Sequence, residues 1–176
     1  MKEPKSPQEV FQLQKLRRDD PQRFLQIVNN WLKEDPRNFR AYFKRHFVWS
    51  DMGQPRRALE DLDKVVELNP TQPAFFARGM VHRQLGDHEN ALVDFRRGEA
   101  LGKEEWQKHA ITLFFQADSY AHVGDEANAL DCCARLPENF WTPGYEGAPG
   151  GGKAEIAEEL RRLPRMPSAN GCNAMA

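Results

Sequence analysis

Side chains able to do chemistry are few in this sequence and seldom grouped. Five histidines occur, and one of them, His122, stands four residues after Asp118. On a helix that spacing sets an imidazole and a carboxylate on one face. Such a pair could hold a metal ion, or act as a base with an orienting carboxylate. The sequence supplies no third member, and no nucleophile, phosphate loop or HExxH pattern accompanies the pair. The cysteines, Cys132, Cys133 and Cys172, are odd in number and lack CxxC spacing, so neither a disulfide framework nor a zinc site is written here. Adjacent residues point about 100° apart on a helix, so Cys132 and Cys133 read as structural. The stretch GAPGGGK, residues 147–153, places glycines before a lysine that opens a helical pattern. It lacks the Walker spacing and the Ser or Thr after the lysine, and reads as a flexible linker. No catalytic residue, cofactor or metal is assigned on this reading.

Composition narrows the class of partner. Lys and Arg total 25 against 26 Asp and Glu, which argues against a broad basic footprint for nucleic acid or for anionic lipid, though not against a local patch. With 40% hydrophobic residues, 29% charged residues and a mean hydropathy of -0.76, the chain can bury a core and keep much of itself wet. Its 176 residues suit one domain or one short repeat array. No run of apolar residues follows the first lysines and none is long enough to span a bilayer, so the expected location is cytoplasmic, with no membrane contact.

The elements that would position any site come from an internal repeat. When Gly53, Gly86 and Gly124 are aligned, an Ala-Leu pair falls five residues later in each case: Ala58-Leu59, Ala91-Leu92 and Ala129-Leu130. An apolar residue precedes each glycine (Met52, Leu85, Val123), and a bulky ring stands three residues before that (Trp49, His82, Tyr120). Three-and-four spacing of apolar residues predicts an amphipathic helix that a glycine ends, followed by a second helix. The small Ala58, Ala91 and Ala129 let the two helices approach closely, and Leu62, Phe95 and Cys133 continue the buried stripe. Asn69-Pro70 stops the second helix of the first hairpin.

With segments such as QLGDHENALVDF and HVGDEANALDCC, the pattern resembles the tetratricopeptide repeat family. The resemblance covers units at about 39–71, 72–104 and 110–137, and departs from the family where Arg45, His46 and Gly98 stand and where the third unit ends at Pro137. His46 and His82 take first-helix positions that pack against the second helix, so they read as core. The extra residues at 103–108 are expected to lengthen the third unit's first helix, with Trp106 packing there. The fold expected is an all-α, right-handed superhelical solenoid. Its parts are a degenerate repeat at 1–38, three repeats over 39–137, a Gly/Pro/aromatic connection at 138–152, a capping helix at 153–164 and a disordered tail at 165–176.

The resemblance also implies a concave groove. Carried over position by position, its lining is Arg40, Phe43, Phe47, Ser50 and Asp51, then Pro73, Phe76, Met80, Arg83 and Gln84, then Ile111, Phe114, Asp118, Ala121 and His122. Aromatic and aliphatic residues hold the places where carboxylate-clamping members carry Lys, Asn and Arg. The implied ligand is a protein or peptide inserting apolar anchors, with Arg40 and Arg83 at the rim. The implied role is a non-enzymatic adaptor, scaffold or co-chaperone. The alternative is self-assembly, as a homodimer, through the same apolar face. Phe140, Trp141 and Tyr145 cannot be buried locally, so this segment is expected to dock on a preformed surface, beside Phe76 and Phe114 in the groove.

Overall fold

The computed structural model describes residues 3, 4, 6–101, 110–144 and 148–163. Trp106, Tyr145, Cys172 and the 165–176 tail lie outside the described residues. Nine α-helices and one short strand pair are present among those described. Packing divides the chain into two compact units, Met1–Leu85 and Gly86–Ala176.

The first unit holds α1 (Pro7–Asp19), α2 (Pro21–Glu34), α3 (Phe39–Asp51), α4 (Pro55–Leu68) and α5 (Gln72–Gln84). Local chemistry marks the helix starts. Proline, whose missing N–H is no loss in a first turn, opens α1, α2 and α4. Ser6 and Glu9 form a reciprocal capping box, with Ser6 Oγ accepting from the Glu9 N–H at 3.2 Å and Glu9 Oε2 accepting from the Ser6 N–H at 3.0 Å. Asp20 caps α2 and Asn38 caps α3. The segment at the amino end is thus a full helical hairpin. Its first helix matches the repeat pattern poorly because α1 buries only Leu13, whereas α2 buries Phe24, Leu25, Val28 and Trp31.

Consecutive helices pack together, α2 on α3, α3 on α4 and α4 on α5. Val28, Trp31, Ala41 and Val48 form one buried cluster, while Ala58, Leu62 and Val81 form the next. Between α3 and α4 the chain turns through Gly53 at φ 66°. There the Gly53 N–H donates to the Ser50 carbonyl at 3.0 Å and the Gln54 N–H to the Trp49 carbonyl at 2.8 Å, the pair of bonds that closes a Schellman end.

The second unit holds α6 (His88–Leu101), α7 (Ala110–His122), α8 (Glu126–Ala134), β1 (Trp141–Thr142), β2 (Gly151–Gly152) and α9 (Lys153–Arg162). The turn at Gly124, φ 80°, repeats the closure, with Gly124 donating to Ala121 and Asp125 to Tyr120. The two clearest repeat segments also share one cap. Asp87 accepts from the Asn90 N–H at 3.2 Å and Asp125 from the Asn128 N–H at 3.1 Å, and in each the asparagine amide reaches back to the other carboxylate oxygen. Helices α6, α8 and α9 all pack on α7, which is why residues 112–119 of α7 are buried without a break.

Helix α9, Lys153–Arg162, lies within the span 153–164 expected as a capping helix. It buries Ile156 and Leu160, and its exposed Glu158 and Arg162 pair at 2.8 Å. The glycine run before it is not a flexible linker. Trp141 and Thr142 pair antiparallel with Gly152 and Gly151, and Gly151 takes φ 109°. A Cβ at Gly151 would stand 2.9 Å from the Glu155 Cβ, so the strand can enter α9 this tightly only through a residue with no side chain. Phe140 docks locally, its ring 5.9 Å from Phe114, whereas Trp141 stays 68% exposed.

The hairpin packing generates a direct test. Ala58 is fully buried where α4 packs on α3, so Ala58→Leu should cost about 1 to 3 kcal/mol, whereas Glu60→Gln on the exposed face should stay within about 0.5 kcal/mol. Chemical denaturation of both variants reads the difference, and equal shifts would remove the close-approach assignment.

Candidate binding surface

The first unit carries its candidate surface on α3, so what holds α3 in place comes first. Arg45 reaches two neighbouring helices. Its Nε donates to Asp61 Oδ2 at 2.9 Å and its Nη2 to Asp61 Oδ1 at 2.6 Å, tying α3 to α4. Its Nη1 donates to Asn29 Oδ1 at 2.6 Å, tying α3 to α2. Asp61 is 3% exposed. Burial pushes its carboxyl up, the Arg45 fork pulls against that, and Asp61 in turn holds the guanidinium raised. Arg45 is one of the departures from the repeat pattern, and the polar pair it makes is the reason an arginine fits there.

His46 is the other departure. It is buried with its ring 4.0 Å from Phe47 and 4.8 Å from Phe43. Burial, with a smaller push from Arg17, lowers its pKa to about 4, so the ring packs as a neutral group in an aromatic cluster. Phe43 and Phe47 meet edge to face at 5.6 Å, and the Arg17 guanidinium stands 5.1 Å over Phe47 while pairing with Asp51.

Two cavities flank Phe43. One, of about 580 Å³, lies on the α1 side and is lined by Phe11, Lys15, Arg17, Arg18, Phe43 and Phe47 among others. The second, of about 270 Å³, lies on the α5 side and includes Phe39, Arg40, Val65 and Pro73. Phe43 and Lys44 line both, and none of the described residues lining either is acidic. Phe11 is 63% exposed and Phe47 41%. The surface is therefore aromatic and basic together, a local patch on a chain whose net charge is -1.

Of the carried-over positions, Arg40, Phe43, Phe47 and Pro73 line these two cavities. Phe76 and Met80 are half-buried on α5. Arg83 is buried and offers no rim cation. In the second unit Ile111 is half-buried, and Phe114 is fully buried between Phe115 and Phe140, so Phe114 belongs to that unit's core. Asp118 is fully buried and His122 half-buried. The residues missed in the sequence are those of α1. Phe11, Lys15 and Arg18 share a helix face at four- and three-residue spacing, a signal hidden by the poor repeat match of that helix.

A second grouping also escapes the sequence. His88, at the start of α6, stacks on His122 with centroids 4.1 Å apart and planes within 5°. It joins Asp118 and His122 in a cluster in which one ligand atom of each lies within 4.8 Å of the others. Cys132 and Cys133 are free and buried, and burial pushes their thiols up to about 12 and about 11, which leaves both unreactive at neutral pH. No helix among the described residues is long and apolar enough to cross a membrane.

Comparison with known proteins bears on the fold. The tetratricopeptide repeat family matches residues 73–101. Human tetratricopeptide repeat protein 6 is 27% identical over 109 residues, covering 60% of this chain and 20% of that protein. Tetratricopeptide repeat protein 36 of Danio rerio is 31% identical over 94 residues, covering 51% of this chain and 50% of its own. The chain thus spans half or less of the length of these relatives. Among solved structures, one of MamA superposes with a TM-score of 0.63 at 22% identity, covering 70% of this chain and 66% of that one. YrrB, described as a TPR protein with an unusual peptide-binding site, superposes with a TM-score of 0.62 at 19% identity, covering 70% and 62%. At these identities the likeness is one of fold.

His46 makes the stability of this surface depend on pH. The imidazole is held neutral in the native state, with a pKa of about 4 against 6.5 for the free side chain. Its contribution is therefore full above pH 6.5 and is lost as pH falls towards 4, a total of about 3 kcal/mol. Urea unfolding of wild type and His46→Phe across that range should show wild type losing about that much more; parallel curves would contradict the buried neutral ring.

Proposed function

From the match of residues 73–101 to the tetratricopeptide repeat family and the shared fold, we propose that the chain is a protein-interaction module whose first unit binds an acidic peptide segment bearing bulky apolar side chains. The observation that carries this is the pair of cavities sharing Phe43 and Lys44. Apolar anchors would enter beside Phe11, Phe43 and Phe47, while Lys15, Arg18, Arg40 and Lys44 set the sign of the partner's charge. Groups of this kind give affinity through a few aromatic contacts and selectivity through charge. The description of YrrB as having a peptide-binding site supports a peptide as the ligand class. The module acts without catalysis, as an adaptor, scaffold or co-chaperone. The free buried thiols Cys132 and Cys133 support a cytoplasmic location.

Self-assembly is the second reading, favoured by the exposure of Phe11 and Phe47 on the same face. Sedimentation at several concentrations separates the two, because a dimer closed over this face leaves no room for a peptide.

Peptides that differ only in the charge between their apolar anchors supply the binding test, read by fluorescence anisotropy. The acidic form should bind and the basic form should not. Phe47→Ala should weaken the acidic peptide roughly 30-fold, about 2 kcal/mol, with helical circular dichroism unchanged. Reversing the basic pair, Lys15→Glu with Arg18→Glu, should invert the preference. Equal affinity for acidic and basic peptides would sink the proposal. Phe114→Ala is expected instead to lower stability by about 3 to 5 kcal/mol, because that ring is fully buried.

A further inference from the structure

The second unit holds a cluster that the groove does not use. We propose that His88, Asp118 and His122 form a binding site for a divalent transition-metal ion, of which Zn²⁺ suits the donors best. The fold assembles it from two helices. Asp118 and His122 lie one turn apart on α7, and α6 packs on α7 so that His88, 30 residues before Asp118, completes the set. Two imidazoles and one carboxylate are a donor set that zinc takes with a coordination position left for water.

Three features of the cluster bear on a metal site. The first is convergence. One ligand atom from each residue already lies within 4.8 Å of the other two. Zinc–ligand bonds of about 2.0 to 2.2 Å set ligand atoms roughly 3.3 Å apart, so closure has to bring these atoms up to about 1.5 Å nearer and turn a ring out of the His88–His122 stack. The second is tautomer. His122 Nδ1 stands 2.8 Å from the Asp118 carbonyl oxygen, and a carbonyl can only accept. Nδ1 therefore carries a proton, which leaves the Nε2 lone pair for an ion, and because Asp118 Oδ1 stands 3.5 Å from Nδ1 the ring has to turn for Nε2 and the carboxylate to meet one ion.

The third observation is charge and access. The Asp118 carboxylate is 0% exposed, with the two rings stacked at 4.1 Å beside it. An imidazole lone pair lies in its ring plane and parallel planes share no point, so an ion takes both rings only after one leaves the stack, where it would meet the charge of the buried carboxylate. His122 keeps 27% of its side chain exposed, which gives an ion a way in.

The test uses the full chain without a histidine tag. Zn²⁺ is titrated in competition with a chromophoric chelator, and Co²⁺ is added separately as a spectroscopic probe. Wild type should take up about one Zn²⁺ per chain, with a rise in Tm. His88→Gln, at a half-buried helix start, should fold as wild type by circular dichroism and bind at least 10-fold more weakly, since even outer-shell losses cost roughly 10- to 100-fold. His82→Gln should bind as wild type. Absence of Zn²⁺ uptake by wild type, equal binding by the two variants, or a thiolate charge-transfer band with Co²⁺ would each overturn the site. Asp118→Asn adds a second arm: weaker Zn²⁺ binding with retained helicity supports the site, and unaltered binding overturns it.

Discussion

Close approach of two helix backbones is the constraint from which the rest of this structure follows. At Ala58 and Ala129 the second helix of a hairpin presents only a methyl group, and both are buried to 1% or less. A glycine in the left-handed region turns the chain immediately before, and its two backbone bonds consume carbonyls that the ending helix would otherwise leave unsatisfied. Turn and contact reinforce one another. The turn sets the register in which the alanine meets the first helix, and the contact buries the apolar stripe that keeps the turn closed.

That constraint leaves the other face of each first helix available, and α3 shows what is done with it. Arg45 is buried towards α2 and α4, where its fork meets Asp61 and Asn29, and Phe43 and Phe47 stand on the side that borders the cavities. A buried ion pair of this kind adds little net stability, because desolvation consumes much of the attraction. Its directional bonds do restrict how α3 can rotate. Rotation would move Phe43 away from the two cavities it joins, so the polar pair and the aromatic surface are mechanically linked.

The second unit uses the same hairpin differently. There α7 is enclosed by α6, α8 and α9, and its first-helix face is filled by Phe140 instead of remaining open. Enclosure changes the meaning of each polar residue on that helix. Asp118 and His122, which on an open groove would face solvent, become a carboxylate and an imidazole in a confined space, and His88 can approach them because α6 lies alongside. Equivalent positions in a repeat therefore border open cavities in one unit and are enclosed in the other.

Local chemistry made much of this legible from the sequence alone. Glycine at the turns, alanine five residues later and the three-and-four apolar spacing determine hairpins whatever surrounds them, because they act through backbone dihedrals and nearest-neighbour packing. Repeat register likewise sets which face of α3 carries Arg40, Phe43 and Phe47, the residues that border the two cavities. What surrounds a face is decided by residues far away in the chain, and there only the tertiary structure could speak. It placed Phe114 in a core by laying Phe140 over it, and it turned a glycine run into a strand by pairing it with Trp141 and Thr142. It also brought Phe11 and Lys15 from a weakly patterned helix to Phe43, and set His88 against His122 across 34 residues of sequence. Those juxtapositions depend on which helices lie side by side, a property of packing that no local spacing encodes.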